Sequence, residues 1–364
     1  MIQTLSRRNF IKLGLKATAL VSIGSQIGGC GAVIFENREE INAQLESHPA
    51  VPTPANGCYL GKFSPVVQHS LGPYRERILG NLSKKTMESE IDSYEGRFGH
   101  RPALYCPIDT HVGYEDFFPL KFCEVMASKG IIPLLRYYIT FGFRDTANGK
   151  HDDIIKKFGD NRCKFPYPIV LVPYPEISIK KKSSGHPWRG KSGEWFAEAY
   201  VHIREVLDAI GASQNTVYGF HVMGGVSAQN LNQFALPPEA FDWFGYSIYN
   251  STKCAGGDIS FWQLVEGQNP YIWGARKYPT KPQALFEFGT SSLSGVAGSW
   301  IRDAFATIKR YPRIKMAMYW ETPLGNRECS EDTYLFLNPK AEQAYREATS
   351  DSYYLKAKTF KKIR

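Results

Sequence analysis

Two rhythms of apolar positions alternate along this chain: short continuous apolar runs, and longer segments carrying a single apolar stripe. Ile169, Val170, Leu171 and Val172 form a run with no polar position, which predicts a strand covered on both faces. Pro173 and Pro175 stop it, and Glu176 stands at its carboxyl end. Residues 281–290 repeat the theme, with Pro282 opening an apolar run that leads to Glu287. Similar runs at 58–63, 102–106, 131–137, 216–222, 242–248 and 314–320 predict further strands. Helical spacing is expected at 84–98, at 120–128 with Gly130 as the stop, at 152–158, and at 192–210 before Gly211. More helices are expected at 259–267 and 295–310, and a closing one at 341–348.

Eight strands alternating with helices predict an α/β fold, a single-domain (β/α)₈ TIM barrel. An open doubly wound sheet would place a glycine-rich phosphate loop after its first strand, and Gly61-Lys62-Phe63-Ser64-Pro65 lacks that spacing. The sequence holds no P-loop, H-E-x-x-H or G-x-S-x-G pattern. No cofactor and no metal are therefore expected.

In a parallel barrel the carboxyl ends of the strands form the face where chemistry is done, so Glu176 and Glu287 are expected to meet there. Two carboxyl groups flanking one bond are what glycoside hydrolysis requires. Asp109, or Glu321 one residue past Trp320, could form a different pair.

The ends of the chain add an address. Ser6-Arg7-Arg8-Asn9-Phe10-Ile11 approximates a twin-arginine export pattern. The apolar stretch after it is too short and too polar for a membrane span, and ends Ile27-Gly28-Gly29-Cys30 like a lipobox, with Cys30 as the lipidated residue. Residues 1–30 are thus expected as signal, 31–56 as a linker, 57–335 as the barrel, and 336–364 as a closing helix and basic tail. The protein is expected outside the cytoplasm, membrane-anchored by lipid or secreted, and monomeric. Net charge is +9, partly from the signal and the tail, and no nucleic-acid motif accompanies it. The remaining cysteines, at 58, 106, 123, 163, 254 and 329, lack the close spacing of a zinc site and fit either disulfides or buried thiols.

Several segments in order resemble glycoside hydrolase family 26, the β-mannanase-like retaining barrels. They are residues 168–178 with His186-Pro187-Trp188, then 209–215, Asp242-Trp243-Phe244-Gly245 with Tyr249-Asn250, Glu287-Phe288-Gly289, and 311–320. The resemblance implies Glu176 as general acid/base and Glu287 as nucleophile, with Tyr249 orienting the nucleophile. It implies Trp188 and Trp320 as sugar-stacking platforms, while Trp195, Trp243 and Trp300 are assigned to packing. Where the family has Arg, His and Asn about its acid/base, this chain has Val172, Pro175 and Ser178. Tyr174, His221 and Arg136 are the candidate replacement donors. The expected substrate is a β-linked polysaccharide, mannan or β-glucan. The basic run Lys180-Lys181-Lys182 raises an anionic glycan as a partner. A non-catalytic glycan-binding lipoprotein of envelope or exopolysaccharide assembly is the alternative.

Overall fold

The computed structural model describes residues 36–63, 83–107, 117–180, 188–250, 259–267, 270–321 and 333–358, all within one compact unit, Glu36–Arg364. The signal with Cys30, Asp109, Lys181, Lys182, Cys254 and Cys329 lie outside the described residues.

Eight parallel strands close into a (β/α)₈ barrel. They are β1 (Cys58–Phe63), β2 (Leu104–Cys106), β3 (Ile132–Tyr137), β4 (Ile169–Pro173), β5 (Thr216–Met223), β6 (Trp243–Asn250), β7 (Gln283–Thr290) and β8 (Ile314–Tyr319). The closure is the pairing of β1 with both β8 and β2. A two-residue β9 (Tyr354–Leu355) pairs beside the start of β1.

Strand alternation divides the apolar side chains into two cores. Leu104, Leu134, Val170, Val172, Val217, Trp243, Ala284, Phe286, Met316 and Met318 fill the barrel, while the residues between them pack outward on the helices. Each strand is thereby buried on both faces, which is why its sequence reads as an unbroken apolar run.

The helix layer begins with α1 (Arg38–Gln44). Next come α2 (Lys84–Phe98), α3 (Leu120–Ser128), α4 (Phe143–Ala147) and α5 (Asp152–Cys163). They are followed by α6 (Phe196–Ala209), α7 (Ala228–Asn232), α8 (Phe261–Gly267) and α9 (Pro270–Lys277). The last two are α10 (Ala297–Ile308) and α11 (Pro339–Ser350). Among the described residues no helix is long and apolar enough to cross a membrane.

One expected boundary changes. From Glu36 onward the segment expected as a linker is part of the domain. Asn37 caps α1 by accepting from the Glu39 backbone N–H. Glu36 pairs with Arg313 at 2.6 Å, Glu46 pairs with Lys281, and Val51 is fully buried in the barrel core. The scattered prolines disguised a segment whose order comes from contacts with the barrel rather than from its own periodicity.

Lys62 and Glu321 form a buried ion pair at 2.7 Å, and Arg97 of α2 reaches the same carboxylate at 3.4 Å. Both cations hold Glu321 on the outer side of the strands, which removes it as a partner for either candidate glutamate. The described cysteines are free thiols, with Cys58, Cys106 and Cys123 buried and Cys163 exposed.

Candidate active site

Glu176 and Glu287 reach the same place by different backbone devices. β4 stops at Pro173, and Glu176 sits in the turn that follows. Tyr174 and Glu176 both have left-handed φ angles, 49° and 56°, on either side of Pro175. Such conformations cost about 1–3 kcal/mol each and persist where the surroundings impose them. Here the turn is tied down: the Ile177 amide donates to the His221 carbonyl, the Met223 amide to Ser178 Oγ, and Asn230 Nδ2 to the Ser178 carbonyl.

Glu287 lies within β7, where simple alternation would turn it outward beside Leu285. A register shift intervenes. Tyr246 pairs with Leu285, but the next residue, Ser247, pairs with Glu287. The extra residue is a β-bulge. Phe286 and Glu287 therefore both face the interior, and Phe288 returns to the outer core. Phe286 forms the floor beneath the carboxylates and takes its room from two glycines. A Cβ on Gly219 would lie 2.6 Å from the Phe286 ring, and one on Gly245 2.3 Å from it.

An oxygen of Glu176, an oxygen of Glu287 and a nitrogen of His221 lie within 4.8 Å of one another, all buried. Arg136, from the end of β3, spans the pair, with Nη1 3.1 Å from Glu287 Oε1 and Nη2 3.6 Å from Glu176 Oε2. Tyr249 donates its hydroxyl to Glu287 Oε2 at 2.6 Å. Ser247 donates to Glu176 Oε1 at 2.8 Å and lies 2.8 Å from His221 Nε2. Arg189 donates to Glu176 Oε2. Arg136, Arg189 and Ser247 thus supply the donors to Glu176.

Burial pushes the Glu287 carboxyl up to about 8, against the pull of Arg136 and the Tyr249 hydroxyl, and the Glu176 charge pushes the same way as burial. His221 is held well below its usual range by burial and by Arg136 and Arg189, so its imidazole is neutral. The guanidiniums already occupy the carboxylate oxygens, so the Glu176, His221 and Glu287 cluster offers a divalent cation two positive neighbours and does not fit one.

Other candidates fall elsewhere. Trp320 is buried with the barrel-interior cluster, edge-on to Tyr249 with ring centres 6.4 Å apart, and packs against Phe63. Trp188 is buried beneath the Glu176 turn, where its Nε1 donates to the Pro175 carbonyl and its ring meets Tyr138, so it supports the turn instead of offering a free face to sugar. Tyr174 is fully buried in the outer core against Phe143 and Phe196, because its left-handed φ of 49° breaks the alternation that keeps Val170 and Val172 inside the barrel. Trp243 and Trp300 are core residues, but Trp195 is 36% exposed on the surface. Lys180 is exposed. Arg189 and Ser247 were not singled out by the sequence. Ser247 had a signal, since it shares the inner face of β6 with Tyr249; Arg189 had none.

No family model matches the sequence, and no curated protein matches it. Solved structures do match in fold. The catalytic domain of a GH26 endo-β-1,4-mannanase from Bacillus sp. JAMB-750 superposes with a TM-score of 0.60 at 13% identity, covering 83% of this chain and 88% of that one. A GH26 β-mannanase from Bacteroides ovatus gives 0.57 at 13% identity over 88% and 93% of the chains. A modular endo-β-1,4-mannanase from Cellulomonas fimi gives 0.55 at 16% identity over 84% and 73%. The fold is a TIM barrel like that of the family 26 glycoside hydrolases.

Proposed function

We propose that this protein is a glycoside hydrolase that cuts β-linked polysaccharide, of the mannan or β-glucan kind, by retaining double displacement. The observation that carries the reading is the carboxylate pair, with oxygens within 4.8 Å, one carboxyl from the turn after β4 and the other from the bulge in β7. Retaining enzymes hold their carboxyl groups about 5–5.5 Å apart, and inverting ones need room for a water between them. Glu287 attacks the anomeric carbon and forms a glycosyl ester as the glycosidic C–O bond breaks. Glu176 gives its proton to the departing oxygen. Glu176 then takes a proton from the water that attacks the ester, and Glu287 leaves as carboxylate.

Each surrounding contact supports one part of this cycle. Arg136 and the Tyr249 hydroxyl hold Glu287 at a fixed angle and stabilise its charge when it leaves. Ser247 fixes the rotamer of Glu176. The nucleophile works as a carboxylate, and burial holds the Glu287 carboxyl up to about 8. The kcat/KM profile of the free enzyme is therefore expected to rise towards about that pH.

The deciding experiment uses a β-linked aryl glycoside with Glu287→Gly and Glu176→Gln. Glu287→Gly is expected to lose turnover and to regain it with azide, giving a glycosyl azide of inverted configuration. No turnover by the unsubstituted protein would leave the barrel as a glycan-binding protein, and turnover unaffected by both substitutions would move the chemistry to other residues. The residues up to Cys30 support export and lipid anchoring as part of the same proposal. Cys30→Ser is expected to move the protein from the membrane to the soluble fraction, and an unchanged distribution would remove the anchor.

A further inference from the structure

The cleft contains more positive charge than two catalytic carboxyls require. Arg136 and Arg189 both converge on Glu176, with side chains 3% and 16% exposed. With the Glu287 carboxyl pushed up to about 8 and the His221 imidazole neutral, two guanidiniums face Glu176. The two arginines differ in how they are held. Arg136 is on a strand and is fixed by both glutamates. Arg189 is on the turn before Gly190, whose φ is 71°, and among the described residues its ion pair is with Glu176 alone. Its Nε is buried and has no hydrogen-bond acceptor among the described residues.

That arrangement sets a condition on the ligand. Ser247 occupies Glu176 Oε1, and the arginines occupy Oε2. A sugar oxygen approaching Oε2 must take the place of the Arg189 guanidinium. A neutral sugar returns only hydroxyl contacts to a displaced, largely buried cation. A sugar carrying its own carboxylate returns an ion pair, and the vacant Nε with a neighbouring Nη presents the two-pronged geometry that carboxylates match.

We propose that the cleft takes a β-linked acidic glycan built from uronate residues, and that Arg189 selects it by passing from Glu176 to the sugar carboxylate. The inference deepens the hydrolase reading by naming the substrate class of the same site. In the empty protein Arg189 covers Glu176; the acidic substrate uncovers it. Arg189 is thus a specificity residue whose contact with Glu176 holds the acid/base idle until the right sugar arrives.

The test compares a β-1,4-mannuronate tetramer with the β-1,4-mannan tetramer, which differ in the carboxylate at C6. Calorimetric binding to the full chain is expected to favour the mannuronate by about tenfold or more, and the preference is expected to shrink as salt rises. Glu176→Gln frees Arg189 and is expected to tighten mannuronate binding further. Arg189→Gln is expected to abolish the preference, with Arg189→Lys keeping part of it, since the charge remains and the fork is lost. Equal affinity for the two tetramers, or a preference that survives Arg189→Gln, would overturn the proposal. The binding arms stand even if neither tetramer is cut, so a failed hydrolase reading and a failed substrate assignment give different results. Cleavage of mannan without any preference for mannuronate keeps the hydrolase and removes the role of Arg189.

Discussion

Replacing Glu287 by Gln should make the protein more stable at alkaline pH while abolishing turnover. The Glu287 carboxyl is 3% exposed, and burial raises it from 4.5 to about 8. An unfolded chain carries this group near its ordinary value. Between those two values the native state therefore binds a proton that the unfolded state does not. Stability from this group is fully present below 4.5 and is lost as pH rises towards 8. A span of about three and a half units at about 1.4 kcal/mol each sets an upper limit of about 5 kcal/mol, and relaxation about the ionised group brings the expectation to about 2–5 kcal/mol. Gln keeps the shape and an oxygen for the Tyr249 hydroxyl, but never ionises. Urea unfolding of both proteins at pH 5 and pH 8.5 measures the effect. At pH 5 the two should agree within about 1 kcal/mol, and at pH 8.5 the variant should be the more stable by about 2–5 kcal/mol. Taking the difference between proteins at each pH cancels the titrating groups that do not interact with Glu287. A difference that does not change with pH, or a variant less stable at pH 8.5, would refute the reasoning. It would mean that Arg136 and Tyr249 stabilise the carboxylate by more than its burial costs.

Other substitutions separate catalysis from architecture. Tyr249→Phe removes a donor to Glu287 worth about 1.5–3 kcal/mol, so kcat/KM should fall about ten- to a hundredfold. The acid limb of the same profile should move up, since that donor holds the Glu287 value down; a limb that stays or moves down contradicts this. Gly245→Ala drives a methyl into the Phe286 ring, and denaturant unfolding should show a loss of about 1–3 kcal/mol. Lys62→Met leaves the buried Glu321 with Arg97 alone and should cost about 3–5 kcal/mol, with turnover of the folded fraction unchanged. A loss of turnover without loss of stability would bring Glu321 back as a catalytic residue.

The sequence by itself determined the barrel, because strands buried on both faces must be apolar at every position and the helices between them must carry one stripe. It also placed a glutamate at the end of the fourth strand and another in the seventh, with Tyr249 and Arg136 on neighbouring strands. Local pattern could go no further. Alternation along β7 points Glu287 away from the cleft, and only pairing with β6 and β8 creates the bulge that turns it inward. Alternation along β4 would keep Tyr174 inside with Val170 and Val172, and only the left-handed turn after Pro173 sends it outward. Trp188 follows the acid/base like a sugar platform, yet tertiary packing spends its ring on holding the Glu176 turn. Arg189 has no sequence signal at all, since a lone arginine in a turn gains its meaning from the carboxylate it meets. The segment from Glu36 has little periodicity of its own, and its order comes from ion pairs to Arg313 and Lys281 that lie far along the chain. What the tertiary structure decided was where the charges meet, because ion pairing and burial depend on distance in space, and sequence pattern reports only the direction in which a side chain leaves its own strand or helix.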